Sequence, residues 1–171
     1  MTTSTKRFKF SFFLATFFGV GLFPVAPGTL GSLAALPLAF GLLSLSLEAA
    51  LFVIAVIFVI GVWVSNAVEA DLGSHDAKLI VIDEVVGQCL VVVLLEAFLP
   101  GLINVMLLLV LSFLGFRLFD IAKPWPVGWV DSRVQCGFGV MLDDVVAALL
   151  AVLFLAGNYF VYALLVMLAG A

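Results

Sequence analysis

The chain has 171 residues, 65% of them hydrophobic and 11% charged, with a mean hydropathy of +1.37. That composition excludes a soluble globular domain, and with the apolar runs along the chain it reads as an all-α integral membrane protein. The net charge of −4, from 7 Lys and Arg against 11 Asp and Glu, excludes a basic surface for nucleic acid.

The N-terminus, "MTTSTKRFKFSFFLATFFGVGLF", places basic residues before a short Phe-rich apolar run at 8–23 and so resembles a secretory signal. "PVAPGTLGS" follows, and the chain beyond it is itself all membrane. The segment 1–29 is therefore read as retained, with an interfacial or re-entrant helix ending at Pro24.

Further apolar runs at about 30–47, 49–66, 85–99, 102–116 and 145–168 predict five transmembrane helices. The turns at 44–48 and 99–104 are short, whereas the connections at about 67–84 and 117–144 are longer and polar. If 8–23 does not cross, Lys6, Arg7, Lys9, Lys78, Arg117, Lys123 and Arg133 share one side, which the positive-inside rule makes cytoplasmic. Of the acidic residues only Glu48 and Glu96 fall at the opposite face. The sequence shows no internal repeat of the kind that builds inverted-repeat transporters, and residues 1–171 read as a single membrane-embedded domain. Cys89 and Cys136 have no metal or redox spacing and read as unpaired thiols.

Two stretches share one construction. "IVIDEVVGQ" (80–88) and "GVMLDDVVA" (139–147) each place a pair of carboxylates, Asp83–Glu84 and Asp143–Asp144, at the expected mouth of a span. Acidic residues favour helix N-termini, where they cap free N–H groups and complement the dipole. One carboxylate suffices for that, and neighbouring like charges repel. Four carboxylates from two helix mouths, with water and phosphate oxygens, suit a hard divalent cation, Mg²⁺ above all.

"FRLFDIAKPWP" (116–126) adds the opposite charge. One more helical turn after 116 sets Arg117 and Asp120 at i, i+3, until Pro124 stops the helix. Arg117 and Lys123 suit phosphate binding, with snorkelling as the simpler account of either alone. Trp125 and Trp129 fit a segment at headgroup level. In "VEADLGSHDAK", Glu69 and Asp71 read as loop residues, Asp76 stands open between ligand and loop, and His75 has no partner that would make it a nucleophile. Thr29 and Ser32, at the start of the helix after "FPVAPG", either approach an anionic headgroup or belong to a tight turn with a cap.

Metal-holding carboxylates and cations beside a bilayer describe phosphoryl chemistry on an anionic lipid headgroup. Four blocks, "GLFPVAPGTLGSLAALP", "DAKLIVIDEVVG", "FRLFDIAKPWP" and "GFGVMLDD", together resemble the phosphatidylglycerophosphatase A family over about residues 14–150. These are multi-pass phosphatases of the bacterial inner membrane that convert phosphatidylglycerophosphate to phosphatidylglycerol with Mg²⁺, in phospholipid biosynthesis. The resemblance carries the family's acidic positions onto Asp76, Asp83, Glu84, Asp120, Asp143 and Asp144, and its basic ones onto Arg117 and Lys123. It implies catalysis by Asp83, Asp120, Asp143 and Asp144 and a metal held by Asp83, Glu84, Asp143, Asp144 and Asp76. Phosphate contacts would come from Arg117 and Lys123, with Thr29 and Ser32 beside the headgroup. Three departures are mild: Ala77 stands where a proline is usual, Cys136 where glycine is expected, and no glycine follows the second acidic pair. A small cation transporter or channel using the same carboxylates is the alternative, and it requires acidic residues spread through the spans.

Overall fold

The computed structural model describes residues 10–73 and 78–169, and among them it is all-helical, with no strand. Asp76 and His75 lie outside the described residues. Helical turns at 10–15 and a 3-10 turn at Val20–Leu22 precede α1 (Pro27–Leu42), α2 (Leu47–Leu72), α3 (Ile82–Phe98), α4 (Val105–Ala122), the short α5 (Val127–Arg133) and α6 (Cys136–Ala169).

Three of these helices, α2, α4 and α6, are long and apolar enough to cross a membrane. The 16 residues of α1 and 17 of α3 extend only roughly 24–26 Å at the α-helical rise, short of a hydrocarbon core about 30 Å thick. The N-terminal segment also departs from expectation. Its helix stops at 15 rather than running to Pro24, because the chain turns through 16–19, where Thr16 Oγ1 accepts from the Gly19 N–H at 3.1 Å. The segment is tied to the bundle where the Val81 N–H donates to the Ala15 carbonyl at 2.9 Å, just before α3.

Of the long polar connections expected at 67–84 and 117–144, the described residues are largely helical. Charged residues do not stop a helix; left-handed residues and prolines do. Thus α2 continues past Glu69 and Asp71 to end at Gly73 (φ 65), whose N–H donates to the Glu69 carbonyl at 2.9 Å. Likewise α4 runs to Ala122 and closes at Lys123 (φ 42), immediately before Pro124. At the other ends, Ser46 caps α2 through Ala49 N–H at 3.3 Å, and Asn104 caps α4 through Met106 N–H at 2.9 Å.

The largest correction concerns Asp143 and Asp144. They are not at the mouth of the last helix, because α6 starts at Cys136 and carries them two turns inside. An N-terminal capping role is therefore excluded for this pair.

Central in the bundle, α3 packs most extensively on α6 and α1, while α6 also meets α2, α4 and α5. Apolar attraction is weak between helices in lipid, so close packing needs small residues. Gly87 shows it: a Cβ there would lie 2.5 Å from the Phe116 ring and 3.2 Å from the Asp144 carbonyl oxygen. This approach brings the first turns of α3 beside the acidic part of α6. Cys89 is buried and Cys136 exposed, both as free thiols.

Candidate active site

At the end of the bundle where α1 and α3 begin and α4 ends, a cavity of about 530 Å³ opens. Ala26, Pro27, Gly28 and Thr29 from the first turn of α1 line one part of it. Asp83, Glu84, Arg117, Asp120, Lys123, Asp131, Asp143 and Asp144 line the rest, with Lys78. Among the described residues, six carboxylates thus face three cationic side chains. That excess of buried negative charge is costly unless a cation or protons offset it.

On α3, buried Ile80, Val81 and Ile82 anchor the helix start and put Asp83 and Glu84 in its first turn. Asp83 Oδ1 accepts from the Glu84 N–H at 3.0 Å, while its side chain remains part of a tighter group. Asp83, Glu84 and Asp144 each offer a carboxylate oxygen, all within 4.8 Å of one another. Within this trio Glu84 Oε2 and Asp144 Oδ2 are buried and accept no hydrogen bond. Orphaned carboxylate oxygens this close together fit a hard divalent cation, which takes oxygen ligands of this kind.

Asp143 takes a different course. Its Oδ1 accepts from the Asp144 N–H at 3.1 Å, and its Oδ2 accepts from Lys123 Nζ at 2.9 Å. Among the described residues it is not part of the three-carboxylate group.

The cations are held by acids of their own. Arg117 pairs with Asp120 one turn along α4, and its Nη1 lies 3.9 Å from Glu84 Oε1. Its buried Nε has no hydrogen-bond acceptor. Lys123 Nζ pairs with Asp131 as well as Asp143. Burial opposes the ammonium charge, but the hydrogen bonds to Asp131 and Asp143 and their charges outweigh it and hold the Lys123 pKa above its ordinary value.

The two residues expected at the headgroup separate. Thr29 lines the cavity, but Ser32 is fully buried behind it: its hydroxyl donates to the Gly28 carbonyl at 3.0 Å and meets Arg117 Nη1 at 3.5 Å. Ser32 thus contacts Arg117 and is not part of the cavity lining. Gly28 matters through space: a Cβ there would fall on the Glu84 carboxylate. Sequence reasoning missed Gly28 and Asp131. Asp131 reads in sequence as one more loop charge, because nothing in "KPWPVGWVD" tells that the turn at 124–126 brings it to Lys123. Trp125 and Trp129, outside the cavity, are exposed.

Apolar helices long enough to span a bilayer, ending at a buried cavity with a cation-ready carboxylate trio beside Arg117 and Lys123, define a membrane-type protein built for phosphoryl chemistry. The comparisons with known proteins agree. The family model described as Phosphatidylglycerophosphatase A matches residues 13–158, and the chain belongs to that family of phosphatases. It is 44% identical over 142 residues to phosphatidylglycerophosphatase A of Haemophilus influenzae, covering 82% of this chain and 83% of the relative. Against phosphatidylglycerophosphatase A of Escherichia coli K12 it is 35% identical over 148 residues, covering 85% of this chain and 83% of the relative. No solved structure matches the chain.

Proposed function

We propose that this protein hydrolyses the terminal phosphomonoester of phosphatidylglycerophosphate, releasing phosphatidylglycerol and phosphate in phospholipid biosynthesis. The site would face the cytoplasm at the inner membrane of a bacterium, with Mg²⁺ as cofactor. The observation that carries this reading is the meeting of the Asp83, Glu84 and Asp144 carboxylates with Arg117 and Lys123 in one cavity. The family and its named relatives supply the substrate.

In the reaction a water oxygen bonds to phosphorus, the bond from phosphorus to the glycerol oxygen breaks, and that oxygen takes up a proton. Asp83, Glu84 and Asp144 would hold the cation, which when bound supplies Lewis-acid polarisation of a phosphoryl oxygen. Arg117 and Lys123 neutralise charge on the phosphoryl oxygens. Asp120 orients the Arg117 guanidinium, and Ser32 supports it from behind. Asp143 holds Lys123. Proton transfer from the attacking water falls to a carboxylate lining the cavity. Thr29, with the first turn of α1, lies where an anionic headgroup gains from free N–H groups.

The topology proposed with this reaction keeps five crossings, with the shorter α1 and α3 completing their spans inside the bundle. Trp125 and Trp129 sit at the headgroup level beside the cavity. The lipid then presents its phosphate to the cavity while its acyl chains stay in the bilayer.

The test is phosphate release by the purified protein in detergent from phosphatidylglycerophosphate, phosphatidic acid and a soluble phosphomonoester, with Mg²⁺ or with chelator. Release from phosphatidylglycerophosphate that needs Mg²⁺ is expected. Release that ignores the chelator would remove the metal from the reading, and preference for phosphatidic acid would change the substrate.

A further inference from the structure

The geometry points to Asp131 as a positioning residue that aims Lys123 at the phosphate. This rests on the phosphatase reading above and adds a residue to it.

The placement of Asp131 is built by the chain between them. Lys123 ends α4 in the left-handed region, and Pro124 and Pro126 prevent the helix from continuing. The chain turns into α5, whose Val127 and Val130 are buried, so the short helix is pinned against the bundle. Gly128 packs directly on the turn: a Cβ there would lie 2.7 Å from the Lys123 carbonyl oxygen. One turn later on α5, Asp131 Oδ1 accepts from Lys123 Nζ, and the Asp131 side chain is 39% exposed while its counterpart Asp143 is 9% exposed.

An ammonium has three N–H donors. Two are taken by Asp131 and Asp143, which lie on different helices, so Nζ is fixed from two directions. One donor remains on a side chain that lines the cavity together with Arg117. A lysine held by one carboxylate alone keeps the rotamer freedom of a four-carbon stem, and a phosphate must then pay for ordering it. Asp131 removes that freedom beforehand by acting through Lys123, as Asp120 does through Arg117.

The test is a double-mutant cycle. Asp131→Asn is made in the wild type and in Lys123→Ala, and both kcat/KM with phosphatidylglycerophosphate and binding of inorganic phosphate by calorimetry are measured in detergent. Outer partners of this kind change activity or affinity by about 10–100-fold. Asp131→Asn is expected to lower both quantities at least about tenfold in the wild type and less than about twofold in Lys123→Ala. Asp131→Glu should recover part of the loss, and Asp131→Ser serves the same cycle if the asparagine variant does not fold. Equal losses in both backgrounds, or none in the wild type, would overturn the assignment. A wild type that binds phosphate but releases none from lipid would sink the hydrolase reading, and the phosphate-binding cycle would still decide Asp131.

Discussion

The pairs "IDEVV" and "LDDVV" look alike in sequence and do different work in the fold. Asp83 and Glu84 lie in the first turn of α3, and both belong to the three-carboxylate group. Asp143 and Asp144 lie two turns inside α6, and the helix splits them: Asp144 joins that group, while Asp143 turns to Lys123. Neighbours on an α-helix point about 100° apart and both pairs are helical, so what divides the second pair is its surroundings, where Lys123 meets Asp143. The comparison teaches that two adjacent carboxylates need not share one set of neighbours.

The largest expected effect breaks the shared part of the two pairs. Asp83→Asn or Asp144→Asn should cut kcat by at least roughly 10²–10³-fold, the scale for losing one group that stabilises transition-state charge. Phosphate release, with size-exclusion profiles to show folded protein, checks this; a variant that kept most of its activity would remove that residue from the site. The divergent member should behave differently. Asp143→Asn should cost roughly 10–100-fold, as for an outer partner, while leaving the Mg²⁺ concentration for half-maximal activity close to wild type. Asp144→Asn should raise that concentration in the residual activity, and equal Mg²⁺ profiles would erase the distinction.

A smaller effect probes the wall opposite the first pair. In Gly28→Ala the new methyl meets the flexible end of Glu84 rather than backbone, so the carboxylate must swing away. We expect kcat/KM to fall about tenfold, on the scale of a misplaced partner, with little change in thermal unfolding. A fall in stability without loss of activity would mean that Glu84 does not need its present place. The smallest effect lies at the start of α6, where Cys136 takes φ 68. Cys136→Gly should raise stability by up to about 1 kcal/mol, since a left-handed non-glycine residue costs roughly 1–2 kcal/mol and glycine returns part of that as chain entropy. Thermal unfolding in detergent measures it, with activity unchanged.

Much of the molecule was legible without coordinates. The continuous apolar runs point to a helical membrane protein, because of the two structures that satisfy every backbone group in a bilayer, helices and closed barrels, only helices have long unbroken apolar runs. Covalent spacing sets Arg117 and Asp120 on one helical face, and Pro124 ends that helix as the residue type demands. The acidic and basic residues of the cavity were visible as types, and even the glycine expected at 136 corresponds to a left-handed backbone.

What only the tertiary structure decided is which charge meets which. Helix ends depend on caps and left-handed residues more than on charge, so hydropathy placed the start of α6 nine residues late and made Asp143 and Asp144 look like caps. Ser32 goes behind Arg117 and Thr29 to the cavity because α1 packs on both α3 and α4, contacts between residues far apart in sequence. Asp131 reaches Lys123 because the chain turns at 124–126 and α5 packs back on the Lys123 carbonyl through Gly128. Local sequence dictates local conformation through short-range sterics, but the pairing of these charges is set by how helices pack, and that is a property of the whole chain.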